Sequence, residues 1–574
     1  MPHSGRNDNS ITVLAVVFLL LSIAIVARLF VLQILEYSYY STLALDTHEI
    51  YKKLYPERGS IYFQDTRSGD IYPAAVNKEY FLIYAVPKDI APSAVPTTTD
   101  ALAQILNFTP TEKDALHQKL AKHDSVYTVI AKKQTDETVQ KIKALKLPGI
   151  NFVGQQLRFY PENDLGGNVL GFTGFDESGN LRGSYGLEGY WNKILAGQGG
   201  FLSGELGARG GWIELGSRTV IDPIDGADLV LTIDRSLEFK ACDLIAAGLK
   251  EYSAQTASVV LLNAKTGAIL AMCSVPDFDP NNYSKVDDPT KFNNTTIFTP
   301  YEPGSVFKPI TMAMALDMGI VSPFTPFTDP CHRYINGYDI RNALEKCYGA
   351  TTMTGVLENS INTGMIWVEE KIGKENFKKY VDRFGFGEKL GVSLNTETKG
   401  NVSQLEKKSD VGYATASFGQ GITVTPLQLA SAYAALANGG QMLRPYIVAE
   451  TRHSDGRVEK TSPEIVDKIV SPRASKLLAG MLTSVVEKTY FRTVKLADYY
   501  LAAKTGTAQI PGPGGYSEDT NHTVAGYFPA GDPQFVLVVK FEKPQRAWAE
   551  GTAGPIFKQL ADFTLKYYGV KPER

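Results

Sequence analysis

Cysteine is scarce in this chain: four residues (Cys242, Cys273, Cys331 and Cys347) in 574. That is too few for a disulfide-dense scaffold. None forms a C-x-x-C pair, and the seven histidines are scattered without an H-E-x-x-H, so the usual zinc spacings are missing. There is no G-x-x-x-x-G-K and no G-x-G-x-x-G, which removes the commonest nucleotide-binding readings. No metal or organic cofactor is expected. Charge of one sign is also lacking: 58 basic against 61 acidic residues leave a net charge of −3, with no electrostatic footprint for nucleic acid. No repeat of 20–50 residues is visible. What is present is ordinary globular composition, 44% hydrophobic and 21% charged, over a length of roughly three to four typical domains.

The N-terminus departs from that average. Ile11 to Ala27 is a run of seventeen uncharged residues (ITVLAVVFLLLSIAIVA), followed by Arg28 and a second apolar stretch to Leu35. A bilayer core about 30 Å thick takes about 20 helical residues, and Arg28 can snorkel to the interface. A membrane-spanning helix is therefore expected over 11–35, behind a cytoplasmic tail of residues 1–10. A cleaved signal peptide, with Ser22 and Ala24 as small residues at the cleavage site, is the alternative. The apolar run exceeds the usual core of about 7–15 residues and continues past that site. Orientation is weakly signalled, since Arg6 is offset by Asp8. No second span of this kind follows, so the remainder of the chain is expected on one side of the membrane.

Beyond the anchor, residues 45–221 mix short β-like runs such as Arg58-Gly-Ser-Ile61 and Tyr80-Phe-Leu-Ile-Tyr84 with turn signals. Thr111 to Leu147 is charged and helix-periodic, with Leu116, Leu120 and Ile142 at apolar positions, and reads as a solvated amphipathic helical subdomain. The tract Gly197 to Gly211 reads as a flexible connection. After Asp225-Gly-Ala-Asp228 come a strand-like LVLTI (229–233) and SVVLL (258–262). The turn Asn263 to Gly267 and AILAM (268–272) complete a hairpin signature. A domain boundary is placed near 222, leaving 222–574 as a second domain.

Three short elements of that second domain carry chemistry. Ser305-Val-Phe-Lys308, entered through Glu302-Pro-Gly304, is the only S-x-x-K at any serine of the chain. On a helix, positions i and i+3 share a face, so the Ser305 hydroxyl and the Lys308 amine are expected within hydrogen-bonding reach. A serine is a poor nucleophile until a base takes its proton. A lysine can be that base only when neutral, which desolvation or a second cation favours. The helix start also offers N–H groups to a developing oxyanion. Ser360-Ile-Asn362 follows 55 residues later. S-x-N also occurs at Ser178-Gly-Asn180 and Ser393-Leu-Asn395, both read as surface turns. Ser360 differs in following a helix-like stretch that ends in a polar loop. Lys504-Thr505-Gly506-Thr507 lies 199 residues beyond Ser305. A lysine and two hydroxyls suit a carboxylate, and the glycine admits a close backbone. A second Lys265-Thr-Gly267 falls in the hairpin turn and is read as turn chemistry.

S-x-x-K, S-x-N and K-T-G in this order form the set associated with penicillin-binding proteins and class A β-lactamases. Pro303-Gly-Ser-Val-Phe-Lys308, Ser417-Phe-Gly-Gln-Gly-Ile-Thr-Val-Thr-Pro426 and Ala525-Gly-Tyr-Phe-Pro-Ala530 resemble the penicillin-binding proteins specifically. Arg158-Phe-Tyr-Pro161 and Gly186-Leu-Glu188 resemble the pedestal of the class B members. Val306 departs from the threonine usual there, which is read as a packing change. The resemblance implies an α/β penicillin-binding transpeptidase fold, an antiparallel sheet flanked by helices, on an elongated α+β pedestal. It implies a membrane-anchored D,D-transpeptidase that cross-links peptidoglycan stem peptides ending in D-Ala-D-Ala and is inhibited by β-lactams. Ser305 would be the nucleophile, Lys308 the base, Ser360 a proton relay and Asn362 a holder of the donor peptide. Lys504, Thr505 and Thr507 would bind its carboxylate, with Gly506 between them. A polymerase of the SEDS glycosyltransferase family and other divisome proteins are the partners implied, since no E-D-x-x-F motif of a bifunctional member occurs between Asp46 and Arg218. Length and the Ser417-Phe-Gly-Gln-Gly pattern lean towards division rather than elongation.

A serine β-lactamase would need a deacylating glutamate, usually in E-x-x-L-N, and none lies between Asn362 and Lys504. A D,D-carboxypeptidase differs only in using water as acceptor, and a β-lactam sensor or scaffold would be expected to carry a cytoplasmic signalling region. Cys331 and Cys347 lie 16 residues apart in a region expected outside the cytoplasm, where a disulfide is permitted. Two buried thiols are the alternative for that pair, and the reading for Cys242 and Cys273.

Overall fold

The computed structural model describes residues 8–31, 49–177, 181–205, 218–407, 409–512 and 515–574. Two compact units are present, one made of residues up to Glu57 with Gly197–Gly226, the other of Arg58–Ala196 with Ala227–Arg574. In the first, the apolar run lies in a helix, Asp8–Phe30, whose described side chains between Val16 and Phe30 are exposed. Over the described residues no helix is long and apolar enough to cross a membrane. The expected anchor at 11–35 is thus not established, and its residues 32–35, like most of the expected tail, lie outside the described residues. The same unit holds a three-stranded antiparallel sheet with Gly200–Glu205 between Glu49–Leu54 and Arg218–Ile221. The glycine-rich tract read as a flexible connection therefore contains a strand, because Phe201 to Gly204 find partners on both sides; its residues 206–211 lie outside the described residues.

The larger unit begins with β1 (Ile61–Gln64) and the long β2 (Ile71–Ala85). The stretch expected to be helical throughout is interrupted. Helix α1 (Pro110–Leu120) is followed by β3 (Thr128–Gln134), then α2 (Asp136–Ala144) and β4 (Ile150–Phe159). Thr109 and Glu112 form a capping box at the start of α1. The β-branched Thr128-Val-Ile130 pairs with β2 instead of continuing the helical pattern. Leu116, Leu120 and Ile142 are buried in one small core against β2, as their spacing predicts.

Strand β5 (Asp228–Asp234) follows the boundary expected at 222, yet it is hydrogen-bonded in parallel to β1, with Leu229 opposite Ile61. Asp234 then caps α3 (Arg235–Glu251) by accepting from the N–H groups of Ser236 and Leu237. Strands β6 (Thr256–Asn263) and β7 (Ile269–Val275) form the expected hairpin. At its turn the Asn263 side-chain oxygen Oδ1 accepts from Lys265 and Thr266 N–H, so this K-T-G is turn chemistry. The catalytic-motif elements come next: α4 (Lys308–Asp317), α5 (Met353–Glu358) and α6 (Asn362–Ile372). They lead to α7 (Pro426–Ala437), β8 (Val448–Arg452) and α8 (Pro472–Lys488). Strands β9 (Ala502–Gly512), β10 (Gly515–Phe528) and β11 (Phe535–Glu542) and helix α9 (Ala553–Tyr567) close the chain. The main sheet is antiparallel, in the order β7-β6-β11-β10-β9. Its central strands β6 and β11 are mostly apolar and buried along almost their whole length, as is the second half of β10, as a sheet covered on both faces requires. Helices α3 and α9 touch each other and the sheet, α7 and α8 also pack on its strands, and α4 lies against α7 and α8. Strand β9, which bears Lys504, is an edge, so one row of its backbone groups is unpaired within the sheet.

Three separated stretches of the chain converge on one carboxylate. Arg58 donates through Nε to Glu188 Oε2 at 2.8 Å and Arg158 through Nε to Oε1 at 2.6 Å, with the Tyr160 hydroxyl at 3.4 Å. Burial pushes the Glu188 carboxyl up, but the guanidinium groups of Arg158 and Arg58 outweigh it and hold the carboxyl below its usual range. Removing one member of a buried ion cluster leaves charge uncompensated. Glu188→Gln is expected to lower the unfolding free energy by about 3–5 kcal/mol in denaturant titrations; a change within experimental error would show that the cluster is not a structural keystone.

Candidate active site

The serine of S-x-x-K stands at the top of a tight turn. Gly304 has φ +60°, and a Cβ there would lie 2.8 Å from the Cβ of Ala508, so glycine is required both by its backbone and by β9 packed against it. Ser305 follows in a 3₁₀ turn, Gly304–Phe307, and Lys308 opens α4. Two neighbours fix the turn. Gly304 N–H donates to Gly419 O, and the Glu302 carboxylate accepts from Gly421 N–H at 3.0 Å and from the Tyr516 hydroxyl at 2.9 Å. The Ser417-Phe-Gly-Gln-Gly stretch is thereby bound to the turn that carries Ser305. Val306 is fully buried, and both its N and its Cγ1 would lie 3.2 Å from a Cβ at Gly506.

Lys308 is fully buried, and among the described residues no carboxylate pairs with it. Its amine reaches the Ser360 carbonyl oxygen at 2.5 Å, Asn362 Oδ1 at 2.8 Å and Ser360 Oγ at 3.0 Å. Ser360 Oγ is in turn 3.0 Å from Ser305 Oγ. The sequence spacing suggested direct Ser305–Lys308 contact; instead the link runs through Ser360. Three acceptors on the α5–α6 connection draw the flexible lysine away from its own helix turn. Ser360 has φ +54°, a left-handed conformation uncommon for a serine, and it aims both its carbonyl and its hydroxyl at the same amine. Burial, followed by the charge of Lys504, holds the Lys308 pKa well below its ordinary value. An ammonium fills all three acceptors with its three protons, whereas a neutral amine has a lone pair with which to accept from Ser360.

Asn362, the first residue of α6, accepts from Lys308 and donates through Nδ2 to Arg341 O at 2.9 Å. Lys504 is buried on β9, its Nζ 3.2 Å from Thr505 O, and burial lowers its pKa to about 8 against an opposing pull from Glu550. The Thr505 hydroxyl donates to Glu550 Oε1 at 3.0 Å, and Thr507 Oγ1 accepts from Ala549 N–H at 3.1 Å. Gly506 has a different use from the one its motif suggests: a Cβ there would stand 2.9 Å from Pro303 O, so it admits the turn that carries Ser305. Ser305, Lys308, Ser360 and Asn362 thus form one hydrogen-bonded chain, with Lys504 close enough to bias Lys308 electrostatically. Of the other S-x-N runs, Ser393 engages Trp191 through its carbonyl, and Ser178-Gly-Asn180 lies outside the described residues. Sequence reasoning gave Glu302, three residues before Ser305, no role and missed Glu550, which reaches Thr505 only through the fold; neither spacing nor pattern marks them out.

Both cysteine pairs are bridged, Cys331 to Cys347 and Cys242 to Cys273. The second corrects the reading of two buried thiols: Cys242 on α3 and Cys273 on β7 are brought to a Cα separation of 5.5 Å by packing that the 31-residue spacing does not reveal. The first closes a loop with a short hairpin, His332–Ile335 with Tyr338–Arg341. Asp329 gathers that loop, accepting from Cys331 N–H, Tyr348 N–H, Asn342 Nδ2 and the Thr363 hydroxyl. Burial raises its pKa, but these hydrogen bonds prevail and hold it low. The loop therefore meets the chemistry at Asn362 and Thr363, the start of α6.

Residues 257–562 match the family described as penicillin binding protein transpeptidase domain, and 53–231 match the penicillin-binding protein dimerisation domain. Stage V sporulation protein D of Bacillus subtilis is 33% identical, covering 90% of this chain and 79% of that protein. The peptidoglycan D,D-transpeptidase FtsI of Escherichia coli is 30% identical over 87% of this chain and 83% of its own. A crystal structure of a peptidoglycan synthetase from Bifidobacterium adolescentis superposes with a TM-score of 0.72 at 25% identity, covering 92% of this chain and 98% of that one. Penicillin-binding protein 3 of Mycobacterium tuberculosis, complexed with aztreonam, superposes with a TM-score of 0.69 at 25% identity, over 91% and 98%.

A 15-residue loop closed by a disulfide gains roughly 3 kcal/mol in the chain-entropy view. Replacing Cys331 and Cys347 together by serine is expected to lower the thermal midpoint while Ser305 still reacts with fluorescent penicillin. Loss of labelling in a folded variant would mean that the bridge sets the position of Asn362.

Proposed function

We propose, because this chain belongs to the penicillin-binding transpeptidase family, that it is a serine-type peptidoglycan D,D-transpeptidase of class B acting through Ser305. The observation that carries the residue assignment is the chain Ser305–Ser360–Lys308 around a buried amine whose pKa is depressed. Ser305 Oγ attacks the penultimate D-Ala carbonyl of a donor stem peptide. Its proton passes through the Ser360 hydroxyl to the neutral Lys308, a transfer that the two 3.0 Å separations support. The N–H groups of Ser305 and Thr507 hold the oxyanion. The same proton returns through Ser360 to the nitrogen of the departing D-Ala, leaving an ester on Ser305. The amine of a neighbouring stem peptide then attacks that ester, loses a proton to the same relay, and closes the cross-link. The free edge of β9 suits an extended donor peptide added as a further strand. Asn362 positions that peptide, and Lys504 with Thr505 and Thr507 takes its terminal carboxylate, Gly506 keeping the nucleophile's turn against the strand. β-Lactams, as acylating mimics, inhibit at the same serine.

The relatives named FtsI support a division role in septal wall synthesis. The Asp8–Phe30 helix and its apolar sequence support a single-pass anchor in the cell membrane, with the catalytic body outside the cytoplasm and both disulfides in an oxidising compartment. The missing E-D-x-x-F motif supports a SEDS-type partner and divisome assembly for chain polymerisation. Residues 45–221 would serve as the pedestal and 222–574 as the transpeptidase domain, the first four residues of that pedestal lying outside the described residues.

Ser305→Ala should abolish covalent penicillin labelling with the fold intact, and mass mapping of the wild-type adduct should find Ser305 alone; an adduct elsewhere contradicts the assignment. Lys308→Ala should slow acylation by about 10²–10⁴-fold, the usual worth of a positioned base. The rate should rise with pH as Lys308 loses its proton at a depressed pKa. It should fall above about 8 as Lys504 becomes neutral and releases the ligand's carboxylate. A rate still climbing steeply beyond that point would show that Lys504 does not act as a cation.

A further inference from the structure

We propose that Glu550 is a specificity-determining residue of this site: it holds the hydroxyl proton of Thr505, so a ligand carboxylate must compete with it for that hydroxyl. This rests on the transpeptidase reading above. Thr505 and Thr507 alternate along β9 with Lys504 and Gly506 and so share one face of the strand. Both reach the same turn, Ala549–Gly551, but with opposite polarity. Thr507 accepts from Ala549 N–H and keeps its own proton for a ligand. Thr505 donates to Glu550 Oε1 at 3.0 Å. An ionised carboxylate only accepts and a hydroxyl has one proton, so that proton is committed. A ligand carboxylate arriving at Lys504 would meet a single free hydroxyl and a second anion beside it.

The turn is built rather than loose. Ala549 and Thr552 are fully buried, and the Thr552 hydroxyl is 2.9 Å from Nδ1 of the buried His522 on β10. Glu550 itself is half-buried at the rim of the site, and among the described residues its Oε2 has no partner. The same carboxylate acts on Lys504, favouring its charged form. Glu550 therefore supports the cation that attracts a carboxylate while contesting the hydroxyl that would bind it. Like charges placed together discriminate strongly against the wrong partner. The arrangement favours ligands whose carboxylate is matched by further contacts along the β9 edge, as an extended stem peptide has, over small carboxylates that lack them.

The test compares acylation of the full chain by benzylpenicillin with acylation by its methyl ester, which has the same ring and a masked carboxylate. The second-order rate at Ser305 is measured near neutral pH, where Lys504 remains charged. In Glu550→Gln the charge is gone and an acceptor oxygen remains; in Glu550→Ala both are gone. The rate with benzylpenicillin is expected to rise roughly tenfold in Glu550→Ala, which removes the charge and frees the Thr505 hydroxyl, and by less in Glu550→Gln, whose amide oxygen still accepts from Thr505. The ester rate stays within about twofold, so that the acid-to-ester ratio rises in both and most in the alanine variant. General damage to the fold lowers both rates and leaves the ratio unmoved. A ratio that is unchanged or falls in either variant overturns the proposal. Failure of benzylpenicillin to label Ser305 in the unmodified protein would instead overturn the transpeptidase reading on which it depends.

Discussion

A lysine amine buried without an anion is the constraint on which the rest of this site depends. Taking an ammonium out of water is costly unless it is paired, and here Lys308 is enclosed at the base of α4 and, among the described residues, has only neutral oxygens for partners. The cost is what makes it useful, since an amine that sheds its proton readily can accept one from a serine. A second buried lysine reinforces this. Lys504 on β9 disfavours the charged form of Lys308, yet keeps enough of its own charge near neutrality to attract a carboxylate. In the proposed mechanism two lysines with pKa values pushed down to different extents divide the roles of base and anchor between them.

The fold supplies what such a pair needs. The buried five-stranded sheet gives β9 a fixed place at its edge, and Gly304 and Gly506 let the nucleophile's turn lie directly against it. The α5–α6 connection contributes Ser360 in a left-handed conformation, which sets two oxygens on the Lys308 amine and one of them on Ser305 as well. Behind it, Asp329 and the Cys331–Cys347 loop tie down the start of α6. Each support lies far along the chain from the group it positions.

That distance explains what the sequence reveals and what it conceals. The three motifs are legible because their chemistry needs particular residues at short fixed spacings, and the hairpin at 256–275 because its alternation and turn are local. The helical reading of 111–147 failed at β3, where pairing with β2 overrides the surrounding period. A direct Ser305–Lys308 contact also failed, since i,i+3 geometry places two side chains on one face but does not say which competing acceptors lie above it. Glu302, Glu550 and the Cys242–Cys273 bridge depend on tertiary neighbours more than thirty residues away, and single-sequence patterns hold no record of those.

The central claim is that Lys308 is neutral at the pH where the protein works. A carbon-13 NMR titration of the lysine Cε resonances tests it directly, with Lys308→Met identifying the signal. The account predicts a resonance titrating well below the ordinary lysine value of 10.5. A Lys308 signal that titrates at or above that value would contradict it, because an amine charged throughout the working range cannot take the proton of Ser305.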